Sequence, residues 1–415
     1  MPASGWHGFP LAWMGAILTV LAVAAFWSLA WPPGVRPASA DGPAAQVWLP
    51  LEPQSDTVWL AGFEEGPNIS ARAAILYDNA TQTVLYAKNP HEPRAPASTT
   101  KILTAILALE MSRLDDIVTV SRNAAGTPGS TARLYTGQKI RMEDLLHGLL
   151  LRSGNDAAVA IAEHIAGTEA EFARIMNARA YQLGATRSRF VNAHGLDKPG
   201  HFSTAYDLAM LARAALLYPT FQEIVAKREY QFGNQTWYNT NQLLWRYEGA
   251  EGIKTGTTSQ AGYCLVAAVS QEGMQLISVV LGSADRWRDS TILLDYGFNN
   301  FHRITLAQRG EPIARFPLAG GLGEVVAVPT RPISVIVRDE DIDSVTAALN
   351  IDPNLRAPVR RGERLGTFDI YVNGEKVKSV VLTAQEEVAR RTPLRLLWRS
   401  LGDLFRRAPA APSRP

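Results

Sequence analysis

The stretch Ala95-Pro96-Ala97-Ser98-Thr99-Thr100-Lys101-Ile102-Leu103 sets a serine, and three residues later a lysine, where an apolar run begins. Two readings compete. In one, Ser98 caps a helix and Lys101 decorates its first turn. In the other, Ser98 is a nucleophile and Lys101 is its base. A serine hydroxyl is a poor nucleophile until a base takes its proton. If Ser98 starts a helix, Lys101 returns to the same face one turn on, and the helix N-terminus favours negative charge developing at Ser98. Lys101 can act as a base only when neutral, which requires desolvation or a second cation beside it. The pattern S-x-x-K alone does not decide, since about one chance match is expected in a chain of this composition.

Two further pieces narrow the choice. Ser153-Gly154-Asn155 lies between two helical segments in LLHGLLLRSGNDAAVAIAEH, and Lys254-Thr255-Gly256 lies on a strand in EGIKTGTTSQAGYCLVAAV. Each has a bland reading: Ser153 and Asn155 as cap and turn residues, Lys254 as a solvated strand charge. Ser121-Arg122-Asn123 shows how cheaply S-x-N arises. Ser153 is preferred because an apolar helix delivers it and a second helix carries it away.

S-x-x-K, S-x-N and K-T-G in this chain order form the three-part signature of penicillin-binding proteins and serine β-lactamases. With ASTTKILTA, LLLRSGNDAA, NAHGLD, FSTAYDLA, EGIKTGTT and LLDYGF, the chain resembles the D-alanyl-D-alanine carboxypeptidases among the small penicillin-binding proteins. The resemblance spans most of the chain beyond its first segment. It implies Ser98 as nucleophile, Lys101 as base and Ser153 as proton relay towards the leaving amine. Asn155 would hold the substrate amide or Lys101. The backbone N–H groups of Ser98 and Thr257 would form the oxyanion hole. Lys254, Thr255, Gly256 and Thr257 would receive the substrate's terminal carboxylate, with Lys254 also the second cation near Lys101. The substrate implied is a peptidoglycan stem pentapeptide, with β-lactams as covalent inhibitors. Arg288, in DRWRDSTILLDYGF, resembles an arginine that precedes a helix in this family; a helix-cap role competes. His194, in NAHGLD, is read chiefly as a loop organiser. A D,D-endopeptidase would use the same residues. A class A β-lactamase would need a deacylating glutamate, and no clear E-x-x-L-N stretch lies between Ser153 and Lys254. Glu169 and Glu171 read as first-turn helix residues. A non-enzymatic wall-binding or penicillin-sensing protein is opposed by the intact motif residues.

Composition agrees with an ordinary globular chain of two or three domains: 415 residues, 47% hydrophobic and 19% charged. A net charge of +2 gives a nucleic-acid partner no electrostatic support. Seven histidines without close ligand spacing argue against a metal, and the chemistry implied needs no cofactor. The single cysteine, Cys264, excludes an internal disulfide and reads as a small core residue.

The ends are distinctive. Residues 11–31 are almost continuously apolar, long enough to cross a bilayer. Ala38-Ser39-Ala40 comes next as an A-x-A cleavage pattern. Cleavage after Ala40 is the preferred reading, with an uncleaved anchor as its competitor because no Lys or Arg precedes the stretch; either exports the remainder of the chain. At the other end, Leu394, Leu397, Trp398, Leu401, Leu404 and Phe405 fall on one helical face, with Arg395, Arg399, Arg406 and Arg407 mainly elsewhere. This suits a helix lying on a membrane surface; packing on the protein's own core is the alternative.

The expected organisation is therefore a signal peptide or anchor (1–40), a linker (41–67), a catalytic domain (68–300), an all-β domain (301–386) and a basic amphipathic tail (387–415). Within 68–300 the pattern predicts a hairpin over 71–87, helices from 98 to about 225, strands at 252–257, 262–269 and 274–282, and a helix at 287–298. Strands, a helical block, then strands again mean an α+β fold: a β-lactamase/transpeptidase-like antiparallel sheet with a helical subdomain. Beyond 301, short β runs alternate with turns, of which Asn373-Gly374 is a hairpin signal. No chemistry is legible there, so this sandwich-like module reads as a spacer or interaction domain.

Overall fold

The computed structural model describes residues 57–60 and 62–391. The expected leader segment and terminal amphipathic helix lie outside them. Among the described residues no helix is long and apolar enough to cross a membrane.

The first half of the main sheet comes from β1 (Val58–Trp59), β2 (Ala73–Asp78) and β3 (Thr83–Lys88). A 3₁₀ turn, Ala97–Thr100, leads into α1 (Lys101–Met111). The helical block continues with β4 (Ile117–Thr119), α2 (Arg122–Ala125), β5 (Lys139–Arg141), α3 (Met142–Leu150), α4 (Asn155–Ala166), α5 (Glu169–Gln182), α6 (Ala205–Ala215) and α7 (Pro219–Ala226). A short hairpin, β6 (Glu229–Phe232) and β7 (Gln235–Tyr238), and α8 (Leu243–Arg246) bring the chain back to the sheet. There it forms β8 (Ala250–Thr258), β9 (Gly262–Gln271) and β10 (Met274–Ser283), followed by α9 (Arg286–Asn300).

The six strands run in the order β1-β3-β2-β10-β9-β8, so the two ends of the segment meet at the β2–β10 pair. All pairs are antiparallel except β1 with β3. That pair corrects the linker reading, because Val58–Trp59 adds a parallel edge strand inside 41–67. The sheet is covered on both faces. Side chains alternate along a strand, so Ala73, Ile75 and Tyr77 join the helical core while Ala74 and Leu76 pack with Leu293, Leu294 and Phe298 of α9. α1 is buried along Lys101–Leu109, which makes it the central helix. The antiparallel β4–β5 pair interrupts a region read as helical. Each of its strands buries a single side chain, Val118 or Ile140, leaving too short an alternation to detect.

The β domain comprises β11 (Phe301–Ala307), β12 (Ala314–Pro317), β13 (Glu324–Pro329), β14 (Ile333–Arg338), β15 (Thr346–Ile351), β16 (Arg364–Val372) and β17 (Glu375–Ala384). Five strands pair as β12-β13-β17-β16-β15 and two as β11-β14. Asn373 and Gly374 both take left-handed φ, 52° and 80°, in the tight turn that joins β16 to β17.

Candidate active site

The 3₁₀ turn is set by Thr99, whose N–H and hydroxyl both reach the Pro96 carbonyl. In it Ser98 is partly exposed between buried Ala97 and Thr99. Ser98 does not cap α1. The cap position is Thr100, and neither it nor Pro96 makes a side-chain cap bond. The capping role read for Ser98 is thereby set aside. Lys101 Nζ lies 3.0 Å from Ser98 Oγ, on the same face as expected.

Lys101 is fully buried. Its Nζ has two further partners, Asn155 Oδ1 at 2.7 Å and the His194 carbonyl at 2.6 Å. Asn155 cannot turn its amide, because Nδ2 donates to the Pro128 carbonyl at 2.6 Å. No side chain fits above that bond: a Cβ on Gly129 (φ +92°) would stand 2.7 Å from Asn155 Nδ2. All three partners of Lys101 are neutral. Burial, then the neighbouring Lys254 ammonium, hold the Lys101 amine well below the usual lysine range. A neutral amine donates two hydrogens and accepts one. Once neutral, Lys101 can donate to Asn155 Oδ1 and the His194 carbonyl and turn its lone pair to the Ser98 hydroxyl, the arrangement a base requires.

Ser153 and Asn155 come from the connection between α3 and α4. Ser153 is buried with φ +61°, a conformation uncommon for a residue bearing a Cβ. The adjacent Asp156 carboxylate anchors the facing loop, accepting from Thr131 Oγ1 (2.6 Å), Ala132 N (2.9 Å) and Leu134 N (3.1 Å). The competing Ser121-Arg122-Asn123 match belongs to another job: Ser121 caps α2 through Ala124 N.

Lys254, Thr255, Gly256 and Thr257 lie on β8, the open edge of the sheet, against the Ser98 turn. Gly256 permits that contact. A Cβ there would stand 3.0 Å from both Ala97 Cβ and the Pro96 carbonyl and 3.2 Å from Ser98 N. The Ser98 backbone and the Lys-Thr-Gly-Thr run therefore border one cleft. Lys254 is buried, and desolvation followed by the Arg286 guanidinium bring its amine down to about 7. Thr255 Oγ1 hydrogen-bonds Thr240 Oγ1 at 2.8 Å.

The arginine at this cleft is Arg286. It donates to the Gly256 carbonyl at 2.7 Å, to the Cys264 carbonyl at 3.0 Å and to Thr257 Oγ1, and lies over the Tyr263 ring. Arg288 is exposed, and its backbone N–H serves the Asp285 cap of α9. Of the two readings held for Arg288, the helix-cap one agrees with this position, and the cleft arginine, Arg286, was not named in the sequence reading. The signal available was Asp285 itself: an N-cap puts Arg286 at the start of the helix, where it points back along β8.

His194 organises the loop after α5. Its Nδ1 accepts from Leu196 N at 3.1 Å, so Nε2 carries the proton and faces Glu169 Oε1 at 3.2 Å. Burial, with Lys101 next, brings the ring down to about 3, so it is neutral. Glu169 also accepts from Ala193 N at 3.1 Å. Its carboxylate is thus committed to the loop, a link its first-turn position did not reveal. Gly195 (φ +89°) is required next, since a Cβ would fall 1.9 Å from the Ala97 carbonyl. Asp197 then ties the loop to β8 through Thr258 Oγ1 at 2.6 Å. Cys264 is buried in β9. Among the described residues no cluster of three His, Cys, Asp or Glu could hold a metal ion.

Comparison with known proteins places this geometry in a family. The signature described as D-alanyl-D-alanine carboxypeptidase matches residues 61–285, and that described as penicillin-binding protein 5, C-terminal domain, matches residues 301–390. The chain is 34% identical over 348 residues to D-alanyl-D-alanine carboxypeptidase DacF of Bacillus subtilis, covering 80% of this chain and 90% of that one. It is 36% identical over 345 residues to D-alanyl-D-alanine carboxypeptidase DacC of Escherichia coli, covering 78% and 86%. Penicillin binding protein 5 from Haemophilus influenzae superposes with a TM-score of 0.71 at 31% identity, covering 79% of this chain and 99% of that structure. A buried lysine beside a serine, a Lys-Thr-Gly edge strand and a β domain behind them agree with these matches, and the chain belongs to the D-alanyl-D-alanine carboxypeptidase family of serine hydrolases.

Proposed function

We propose that this enzyme removes the terminal D-alanine from peptidoglycan stem pentapeptides through an acyl-enzyme on Ser98. The observation that carries the reading is the Lys101 amine, dry, bonded only to neutral groups and 3.0 Å from Ser98 Oγ. Lys101 takes the hydroxyl proton as Ser98 Oγ attacks the carbonyl of the penultimate D-Ala. The backbone N–H groups of Ser98 and Thr257 receive the oxyanion. Ser153 passes a proton to the departing D-alanine amine, while Asn155 keeps Lys101 in register. Lys254, Thr255, Gly256, Thr257 and Arg286 form the seat for the terminal carboxylate. Water then hydrolyses the ester, with Lys101 again as base. A β-lactam enters as a substrate mimic and stays on Ser98 as a slow ester.

The test is release of D-alanine from a pentapeptide mimic. Ser98→Ala is expected to lose about 10³-fold or more in rate and all covalent labelling by fluorescent penicillin, with unchanged circular dichroism. Labelling that survives the substitution removes Ser98 as nucleophile. In this reading the enzyme works on the outer face of the cytoplasmic membrane, with residues 68–300 as catalytic unit, 301–386 as β domain and the basic tail on the lipid surface; the tail read as 387–415 starts later, because Val388 and Arg390 bridge to Val359 and Gly321 of the β domain. Deleting 391–415 is then expected to release the mature protein from membranes, as read by fractionation. Continued attachment would assign the anchoring to the N-terminal segment.

A further inference from the structure

One short loop, residues 194–197, reaches three parts of the site in succession. The His194 carbonyl holds Lys101 Nζ at 2.6 Å. Gly195 abuts the Ser98 turn, where a Cβ would stand 1.9 Å from the Ala97 carbonyl oxygen and 3.0 Å from Ser98 N. Asp197 then meets the far end of β8. Its Oδ1 accepts from Thr258 Oγ1 at 2.6 Å, and its Oδ2 accepts from Gln260 N at 3.2 Å and Ser259 Oγ at 3.3 Å. The Thr258 hydroxyl also accepts from Ala261 N at 3.0 Å, closing the β8–β9 turn. The loop is braced from within. Asn192 Oδ1 accepts from Gly195 N at 2.7 Å while its Nδ2 donates to the Leu196 carbonyl at 2.9 Å. β8 is the edge of the sheet and pairs with β9 alone, the last pair being Thr258 with Gly262. Residues 257, 259 and 260 are exposed. Such an end opens easily unless something ties it down. Among the described residues no other side chain from outside the hairpin holds residues 258–260.

We propose that Asp197 is a positioning residue for the reaction: by tying the end of β8 to the loop that abuts Ser98, its carboxylate fixes the separation of the Ser98 and Thr257 backbone N–H groups that receive the oxyanion. The inference rests on the acyl-enzyme reading of Ser98. Thr257 is bonded directly to the residue that Asp197 grips, and Ser98 N lies against the glycine two residues before Asp197. One loop therefore sets both donors. Two donors stabilise a single developing oxygen only when both stay within about 0.5 Å of their productive places. Arg286 holds Thr257 by its hydroxyl and by the preceding carbonyl of Gly256. It leaves the strand beyond Thr257 to Asp197. Bonds to an ionised carboxylate are stronger than neutral ones, which suits a clamp at an exposed strand end. Asp197 touches no reacting atom in this account; it acts through Thr258.

The experiment uses the full chain in a nonionic detergent. It measures D-alanine release from a pentapeptide mimic, the rate of penicillin acylation, and the affinity of a boronic acid analogue of the penultimate D-Ala. With that probe Ser98 Oγ adds to boron, its proton passes to Lys101, and the tetrahedral anion sets an oxygen between the two N–H groups. Acylation and deacylation use the same donors. Asp197→Ala is therefore expected to lower kcat about tenfold or more with KM within about twofold, and to weaken boronate binding by a matching factor. Asp197→Asn keeps an acceptor for the Thr258 hydroxyl and is expected to restore part of both losses. Thr258→Val removes the same bond from the other side, and so covers the case in which Asp197→Ala folds poorly. It is expected to reproduce the losses, and the double variant to lose no more than either alone. The proposal is overturned by single variants within about twofold of wild type, by a loss confined to KM, by a kcat loss with unchanged boronate affinity, or by losses that multiply in the double variant. A wild type that acylates with penicillin yet releases no D-alanine overturns the carboxypeptidase reading instead, and acylation and boronate affinity still decide the clamp.

Discussion

At the residue scale the site is a problem in keeping a lysine uncharged. Lys101, Lys254 and Arg286 are brought together in one region, and the two lysines are buried. Stacking cations in a desolvated pocket is costly, and the cost appears as depressed lysine pKa values. It has a consequence for stability. Lys254 is near 7 in the folded enzyme and near the ordinary value of 10.5 when unfolded. Between those values the unfolded chain binds more protons, so this group's contribution to stability rises with pH across that window. Below about 7 both states are protonated and the penalty is complete. Wild type compared with Lys254→Met by thermal unfolding from pH 6.5 to 9.5 should therefore gain on the variant as pH increases. A constant difference would mean Lys254 is not desolvated. Ala97 (φ +50°) and Ser153 (φ +61°) are strained conformers that flank this chemistry. Such conformers cost about 1–3 kcal/mol each and persist because surrounding packing imposes them.

At the scale of elements, five pieces deliver the site: the start of α1, the α3–α4 connection, the loop after α5, the edge strand β8 and the start of α9. The fifth, the start of α9, is governed by Asp285. Its carboxylate accepts from Trp287 N at 3.0 Å and Arg288 N at 3.1 Å, setting the helix entry and hence Arg286. Asp285→Ala is expected to cost about 1 kcal/mol in chemical denaturation. It should also raise KM for carboxylate-terminated peptides several-fold, with a smaller change in kcat, because Arg286 loses its fixed origin. An unchanged KM would show that β8 alone orients Arg286. The long helices and the strands β2, β3, β8, β9 and β10 were legible in the sequence because each carries several periods of its pattern. Val58–Trp59 and the β4–β5 pair were not, since two or three residues contain no periodicity to read.

At the scale of the whole molecule, the β domain is joined to the catalytic domain by apolar contact as well as by Lys378, which donates to the Thr81 carbonyl at 3.3 Å. Ile336 of β14 and Phe301 share one buried cluster with Leu276 of β10 and Leu293 of α9. Arg338 adds bonds to Tyr296 Oη and the Gly62 carbonyl. Ile336→Ala is expected to destabilise the protein by about 2–4 kcal/mol and to separate loss of penicillin labelling from loss of β-domain structure on heating. Coincident transitions in the variant would show that the remaining contacts suffice to couple the domains.

The sequence by itself singled out Ser98, Lys101, Ser153, Asn155 and Lys254 and determined their approximate mounts. Ser98 and Lys101 are one helical turn apart, and Ser153 and Asn155 flank a single glycine, so local geometry relates each pair wherever the rest of the chain goes. It also determined that strands enclose a helical block, because both faces of the sheet need apolar cover. Only the tertiary structure decided what surrounds Lys101. The His194 carbonyl that completes its shell is a backbone atom 93 positions away, and the choice of Arg286 over Arg288 depends on which side of α9 meets β8. Backbone acceptors, side-chain direction and desolvation are properties of packing between distant segments, and no local pattern of residue types encodes them.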